Sequence, residues 1–236
     1  MSLGRQFIKG TMSRLLPRDR FLLHGPTSTN GDATCVEIAL TFDDGPHPEW
    51  TPVVLDALAK AGWKGTFFVI GERAAEHPEL VKRIVEEGHA IGNHSYTHSE
   101  PSRTAARQFA DETRRTSELI DRLTGTHSSL IRPPKGKLSL MKFVHLWQNE
   151  QSIVLWNVDP KDFAMTDDVS TDSWCDSYKP HQGDVILLHD RLPHAATIVQ
   201  RLAQRHADHV KSVSVFDWLP SAISISPSSN GVSTEC

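Results

Sequence analysis

From residue 36 onward, short apolar runs alternate with longer amphipathic ones. The short runs lie at 36–42, 66–70, 89–92, 129–131, 153–156, 184–188 and 213–216. They are rich in Val, Ile, Leu and Phe and bounded by Gly, Pro or Asp, the pattern of buried strands. Between them, helical periodicity marks 52–61, 78–87, 104–123, 137–148 and 195–207. The first of these puts Val53, Val54, Ala57, Leu58 and Ala61 on one face, and the second Leu80, Val81, Ile84 and Val85. Pro78 suits a first helical turn and Gly88 stops that helix. The third is long and charged, with Phe109, Leu119, Ile120 and Leu123 as its apolar minority. Strand–helix alternation predicts parallel strands joined by crossovers. Seven strands in about 180 residues predict a closed or nearly closed α/β barrel, with an open doubly wound sheet as the competing architecture. No Gly-x-Gly-x-x-Gly follows the first strand, which weakens a dinucleotide site.

Composition narrows the class. The chain has 236 residues, 38% apolar and 23% charged, with mean hydropathy −0.36, values of a soluble single domain. Net charge is −4, so no overall basic face grips nucleic acid. No apolar run reaches the roughly 20 residues of a membrane span. Cys35, Cys175 and Cys236 cannot all pair, and none has a partner at metal-ligand spacing. Residues 1–35 read as an N-terminal basic arm, in which Arg5, Lys9, Arg14, Arg18 and Arg20 alternate with Phe7, Ile8, Met12, Leu15, Leu16, Phe21 and Leu22. The arm is expected to pack across one end of the barrel; the competing reading is a membrane-surface segment. Residues 36–219 are the expected catalytic domain, and the Ser-rich tail 220–236 is expected to dangle. No secretory signal is visible at the N-terminus, which leaves the cytoplasm as the default location.

Polar clusters follow the predicted strands. The first strand ends in TFDDGP (41–46), with adjacent carboxylates Asp43 and Asp44. Along an extended chain these point opposite ways, so one is free to hold a metal while the other handles a proton. The third ends in NHSYTH (93–98), where His94 and His98 stand at i and i+4; on a helical turn that spacing puts both rings on one face. With Asp44 they make a His/His/Asp set that leaves a position open for water, the pattern of a catalytic metal. The fourth ends in RPPKG (132–136), where Arg132 is placed to hold a carboxylate. The fifth runs into WNVDPKDF (156–163), with Asp159 and Asp162 as candidate partners for a histidine, and the sixth gives DVILLHD (184–190), presenting His189. Each has a plainer reading alone: a turn, a surface His pair, a solvated Arg, a core His. All five fall at strand C-termini, the face where barrel enzymes build their sites.

TFDDGP, HSYTH, RPPKG, WNVDPKDF and LLHD together resemble the five ordered motifs of the polysaccharide deacetylases, the NodB-like family 4 carbohydrate esterases. The resemblance spans roughly residues 36–219. It implies a single-domain distorted (β/α)7 barrel, a divalent metal that is usually zinc, and hydrolysis of N-acetyl groups on sugars, a carbon–nitrogen bond cleavage outside peptides. By resemblance Asp44, His94 and His98 hold the metal, Asp43 is the general base and Arg132 orients it. His189 is the general acid, tuned by Asp162. The backbone N–H of Lys135 serves the oxyanion, and Leu187 lines the pocket for the acetyl methyl. Co2+, Mn2+, Ni2+ or Fe2+ also suit such a ligand set. Two positions depart from the family pattern. Lys135 stands where an aromatic residue is usual, and either points to solvent or favours an anionic glycan. Phe163 stands where Trp is frequent. The competing functions are a deformylase or amidase for a small or lipid-linked substrate, and a non-catalytic glycan-binding module.

Overall fold

The computed structural model describes residues 15–27 and 35–219. Seven parallel strands run in the order β1 (Phe21–Leu22), β6 (Ser152–Val154), β5 (Leu130–Ile131), β4 (Ala90–Asn93), β3 (Gly65–Val69), β2 (Val36–Asp43), β7 (Asp184–His189). An eighth, β8 (Val210–Ser212), pairs with the start of β2. Among the described residues seven helices alternate with them: α1 (Trp50–Ala61), α2 (Gly71–Glu76), α3 (Pro78–Glu86), α4 (Ala106–Thr124), α5 (Leu140–Gln148), α6 (Asp168–Ser177) and α7 (His194–His206).

The ring closes in two ways between β6 and β7. Beyond β6 the chain bonds to β7 directly, Val158 N–H to the Val185 carbonyl at 3.1 Å and Leu187 N–H to the Val158 carbonyl at 3.0 Å. At the other end the two strands are apart and β1 fills the space. It pairs with β6 in the register Phe21↔Ile153, while Gly25 N–H reaches the Gly183 carbonyl at 2.7 Å. Gly183 is needed there: its φ is +83°, and a Cβ would stand 2.7 Å from the Pro26 carbonyl oxygen. The structure is thus the distorted (β/α)7 barrel and not the open sheet.

Side-chain alternation divides the core. Leu40, Phe42, Ile186 and Leu188 point outward and pack with Val54 and Leu58 of α1 and Val199 and Leu202 of α7. Ala39, Val185, Leu187 and Phe68 point inward and pack with Phe21, Leu22, Leu155 and Trp156. Asp43 and His189 continue the inward rows of β2 and β7, and their α-carbons are register partners.

Several expectations are corrected. The run 213–216 is no strand: the strand lies earlier, at β8, and Val215–Trp218 form a 3-10 turn capped by Ser214 and Asp217. A buried run of this length does not distinguish the two. Phe21 and Leu22, read as part of the arm, are buried in the sheet. Two residues are too few to show a period. Val53 is 39% exposed, and Leu55 takes the inward place on α1. Residues 1–14, 28–34 and 220–236, with most of the arm and the tail, lie outside the described residues.

Candidate active site

Strand β2 ends at Asp43, and the next residue turns left-handed, with φ +69° at Asp44. Asp tolerates this conformation better than most residues. The turn brings the second carboxylate back. Asp43 Oδ2 lies 3.6 Å and Asp44 Oδ1 3.5 Å from His94 Nε2, so the expected divergence of the two carboxylates does not occur. Both are nearly buried.

His94 and His98 do not sit on a helical turn. They lie in an irregular loop after β4 in which Ser95 (φ +65°) and His98 (φ +53°) are left-handed. The loop is pinned by Asn93: its amide donates to the Thr113 carbonyl at 2.7 Å, and its oxygen accepts from Ser95 N–H at 2.8 Å. Ser95 Oγ in turn accepts from His98 N–H at 3.1 Å. The two imidazoles end 5.0 Å apart, and His98 Nε2 stands 3.3 Å from Asp44 Oδ1.

These groups fit a metal ion. One ligand atom from each of Asp44, His94 and His98 lies within 4.8 Å of the others. His94 Nδ1 faces the Arg132 carbonyl at 2.6 Å; donating there leaves the Nε2 lone pair for a ligand. Asp44 Oδ1 is buried and has no hydrogen-bond partner, an orphan that a cation would satisfy. Burial works against the charge on Asp44, yet His94, Arg191 and His98 hold its carboxyl far below the usual range. Burial likewise opposes the charged form of His94, but Asp43 and Asp44 outweigh it and raise its pKa. His98 is pulled down, by burial first and then by His94.

Arg132 is the largest wholly buried side chain. Its guanidinium donates to Asp43 Oδ1 and Thr41 Oγ1, both at 2.8 Å, and to the Val154 and Leu155 carbonyls, both at 3.1 Å. It lies 4.3 Å over the Phe68 ring. Burial lowers its pKa and Asp43 pulls it back; a guanidinium stays protonated regardless. Asp43 is thus clamped by one oxygen, and its other oxygen faces His94.

Across the rim, His189 Nδ1 meets Asp162 Oδ1 at 2.7 Å, and Asp162 Oδ2 accepts from His189 N–H at 2.7 Å. Asp162 is wholly buried. Burial disfavours the imidazolium, but Asp162 overrides it with help from Asp43 and Asp44, and the His189 pKa rises to about 8. Asp159, the other candidate, instead accepts from Lys161 N–H at 3.0 Å within its own turn. Phe163 stands edge-on to His189, 5.8 Å between centroids. Leu187 is buried two residues below His189 on the same face. Lys135 has φ +56° after two prolines, and its ammonium pairs with Glu100.

Three contributors were not singled out from the sequence. Arg191 Nε donates to Asp44 Oδ2 at 2.8 Å, and the Arg73 guanidinium bonds the Asp44 carbonyl. Asp190 is wholly buried beneath the TFDDGP turn, where a Cβ on Gly45 would stand 2.2 Å from its Oδ2. Burial, with the charge of Asp44, pushes Asp190 up to about 7 despite its bond from Thr51. Only LLHD, which contains Asp190, carried a signal; the loop that holds Arg73 showed no cluster.

The polysaccharide deacetylase family matches residues 30–143. A peptidoglycan-N-acetylglucosamine deacetylase of Bacillus cereus is 39% identical over 163 residues, covering 68% of this chain and 58% of that protein. A chitooligosaccharide deacetylase of Sinorhizobium fredii is 37% identical over 159 residues, 66% of this chain and 73% of that one. The crystal structure of a peptidoglycan N-acetylglucosamine deacetylase in complex with 4-naphthalen-1-yl-N-oxidanyl-benzamide superposes with TM-score 0.74 and 31% identity, covering 84% of this chain and 92% of that one. This chain belongs to the polysaccharide deacetylase family, the NodB-like family 4 carbohydrate esterases, whose members depend on a metal. It spans under three fifths of the length of the B. cereus relative.

Proposed function

We propose that this protein hydrolyses the N-acetyl amide of an N-acetylated sugar or polysaccharide, releasing acetate. One observation carries the reading: Asp43 and His189 are register partners on adjacent inward-facing rows, beside the Asp44/His94/His98 group. A base and an acid therefore flank one point, as amide hydrolysis requires. Asp44, His94 and His98 would hold the metal, and zinc suits two imidazoles and a carboxylate with one position open. A bound divalent cation supplies Lewis acidity, acidifying water and polarising the acetyl carbonyl.

The chain's own groups do the rest. Asp43, fixed by Arg132, takes the proton from the attacking water. The N–H of Lys135 donates to the oxyanion of the tetrahedral intermediate; such a donor is typically worth about 10²–10³ in rate. His189, kept protonated near neutral pH by Asp162, hands its proton to the departing nitrogen, which leaves as an amine. Leu187, one step below His189, offers the acetyl methyl an apolar floor. The named relatives act on glycans, which supports a sugar over a lipid-linked or formylated amide. A binding module is disfavoured because no group of the set is missing.

The test is acetate release from N-acetylglucosamine oligomers by metal-stripped protein before and after zinc is restored. Release is expected only with zinc. A folded, zinc-loaded protein that releases none would overturn the reading.

A further inference from the structure

The Asp44 turn is flanked by two guanidiniums. Arg191 reaches Asp44 Oδ2, and Arg73 reaches the Asp44 carbonyl. Among the described residues, neither forms an ion pair with any other carboxylate. Both line a cavity of about 380 Å³ that also touches Asp44 and His98, so it opens beside the metal ligands. Glu72 is the only other acidic group on its wall. Two arginines against Asp44 and Glu72 balance, and a divalent cation on Asp44 leaves the cavity net positive. His47, next to this region, is held below its ordinary pKa by burial first and then by Arg73, with a smaller push from Arg191. The Lys135 ammonium, by contrast, is taken up by Glu100. The departure at Lys135 therefore does not provide a free cation, whereas Arg73 pairs with no carboxylate among the described residues and Arg191 only with Asp44.

We propose that Arg73 and Arg191 form a subsite for an anionic substituent, a carboxylate or phosphate, carried by the sugar whose acetamide is cleaved. The inference rests on the deacetylase reading and names its substrate class. Because the cavity borders Asp44 and His98, an anion seated there lies within one substituent's reach of the acetamide. Guanidinium forks suit such oxyanions geometrically. Each arginine is pre-oriented by its bond to Asp44, so little side-chain freedom is lost on binding.

The experiment compares two soluble glycans of equal length on zinc-loaded protein. One is neutral N-acetylchitooligosaccharide. The other carries N-acetylmuramic acid, whose carboxylate-bearing lactyl ether is on the ring carbon next to the one that bears the acetamide. Wild type is expected to favour the carboxylate-bearing glycan about tenfold in kcat/KM, mainly through KM. The preference should shrink with added salt. It should collapse in Arg73→Gln, which keeps a donor for the Asp44 carbonyl, and in Arg191→Gln. Equal activity of wild type on both glycans, or an equal fall on both in each variant, would overturn the subsite. Calorimetric binding to zinc-loaded Asp43→Asn protein separates the two proposals. Tighter binding of the carboxylate-bearing glycan without hydrolysis by wild type sinks the deacetylase reading and keeps the subsite; hydrolysis without preference does the reverse. Binding of inorganic phosphate that depends on Arg73, with no preference between glycans, would mark a free-anion site and also overturn the proposal.

Discussion

Two carboxylate–cation pairs, each with one member on the neighbouring strands β2 and β7, have almost the same bond length and opposite proposed purposes. Asp43 meets Arg132 at 2.8 Å, and Asp162 meets His189 at 2.7 Å. In the first pair the cation is permanent and wholly buried, and on the proposed mechanism the carboxylate is the working group, with one oxygen outside the clamp. In the second the carboxylate is wholly buried, and on the proposed mechanism the imidazole is the working group, able to gain and lose its proton. A pair of this kind does not by itself define a base or an acid.

The comparison can be broken at either end. Asp43→Asn removes the base without touching a proposed metal ligand. It should lower kcat by about 10²–10⁴ while zinc content, read by atomic absorption, stays at the wild-type level. Loss of zinc would merge the roles assigned to Asp43 and Asp44. Arg132→Met leaves Asp43 buried beside an apolar chain. Breaking a buried pair from one side costs about 3–5 kcal/mol, so denaturant unfolding should show a large drop in stability together with lost turnover. Asp162→Asn acts on the other pair. The basic limb of kcat/KM, expected near pH 8 because His189 must be protonated to act, should move down toward the ordinary histidine range near 6.5. Activity at pH 8 should then fall about tenfold, with zinc retained, and an unmoved limb would remove His189 from the acid role. Lys135→Ala should do least. Its ion pair with Glu100 is exposed and its proposed contribution is a backbone N–H, so kcat on a neutral glycan should change less than about twofold.

The two pairs were only partly legible in the sequence. The residues of both were visible because each closes a strand within a short polar cluster, and the barrel followed from strand–helix alternation. Their arrangement was not. Asp44 turns back through a left-handed residue, and His94 and His98 converge through two more, which no periodicity reports. The polar helix α6 buries only Thr171 and Cys175, too few for an amphipathic signal, although the capping box of Asp167 and Ser170 was there to be read. Arg73 and Arg191 matter only because distant strands bring them to one carboxylate. A single arginine in a sequence carries no sign of that.

Strand β2 is bordered on one side by β7 and on the other by β3 and β8. Its partners on one whole edge thus lie roughly 140 residues downstream. During synthesis, at about 5–20 residues per second, that edge waits roughly 7–30 s for β7 to emerge. Throughout that interval the nascent chain presents a paired hairpin-free apolar strand with open N–H and C=O groups, a template for mispairing. The same long-range closure that seats Asp43 beside His189 makes this a slow-folding topology, one that stands to gain from chaperone cover on the ribosome.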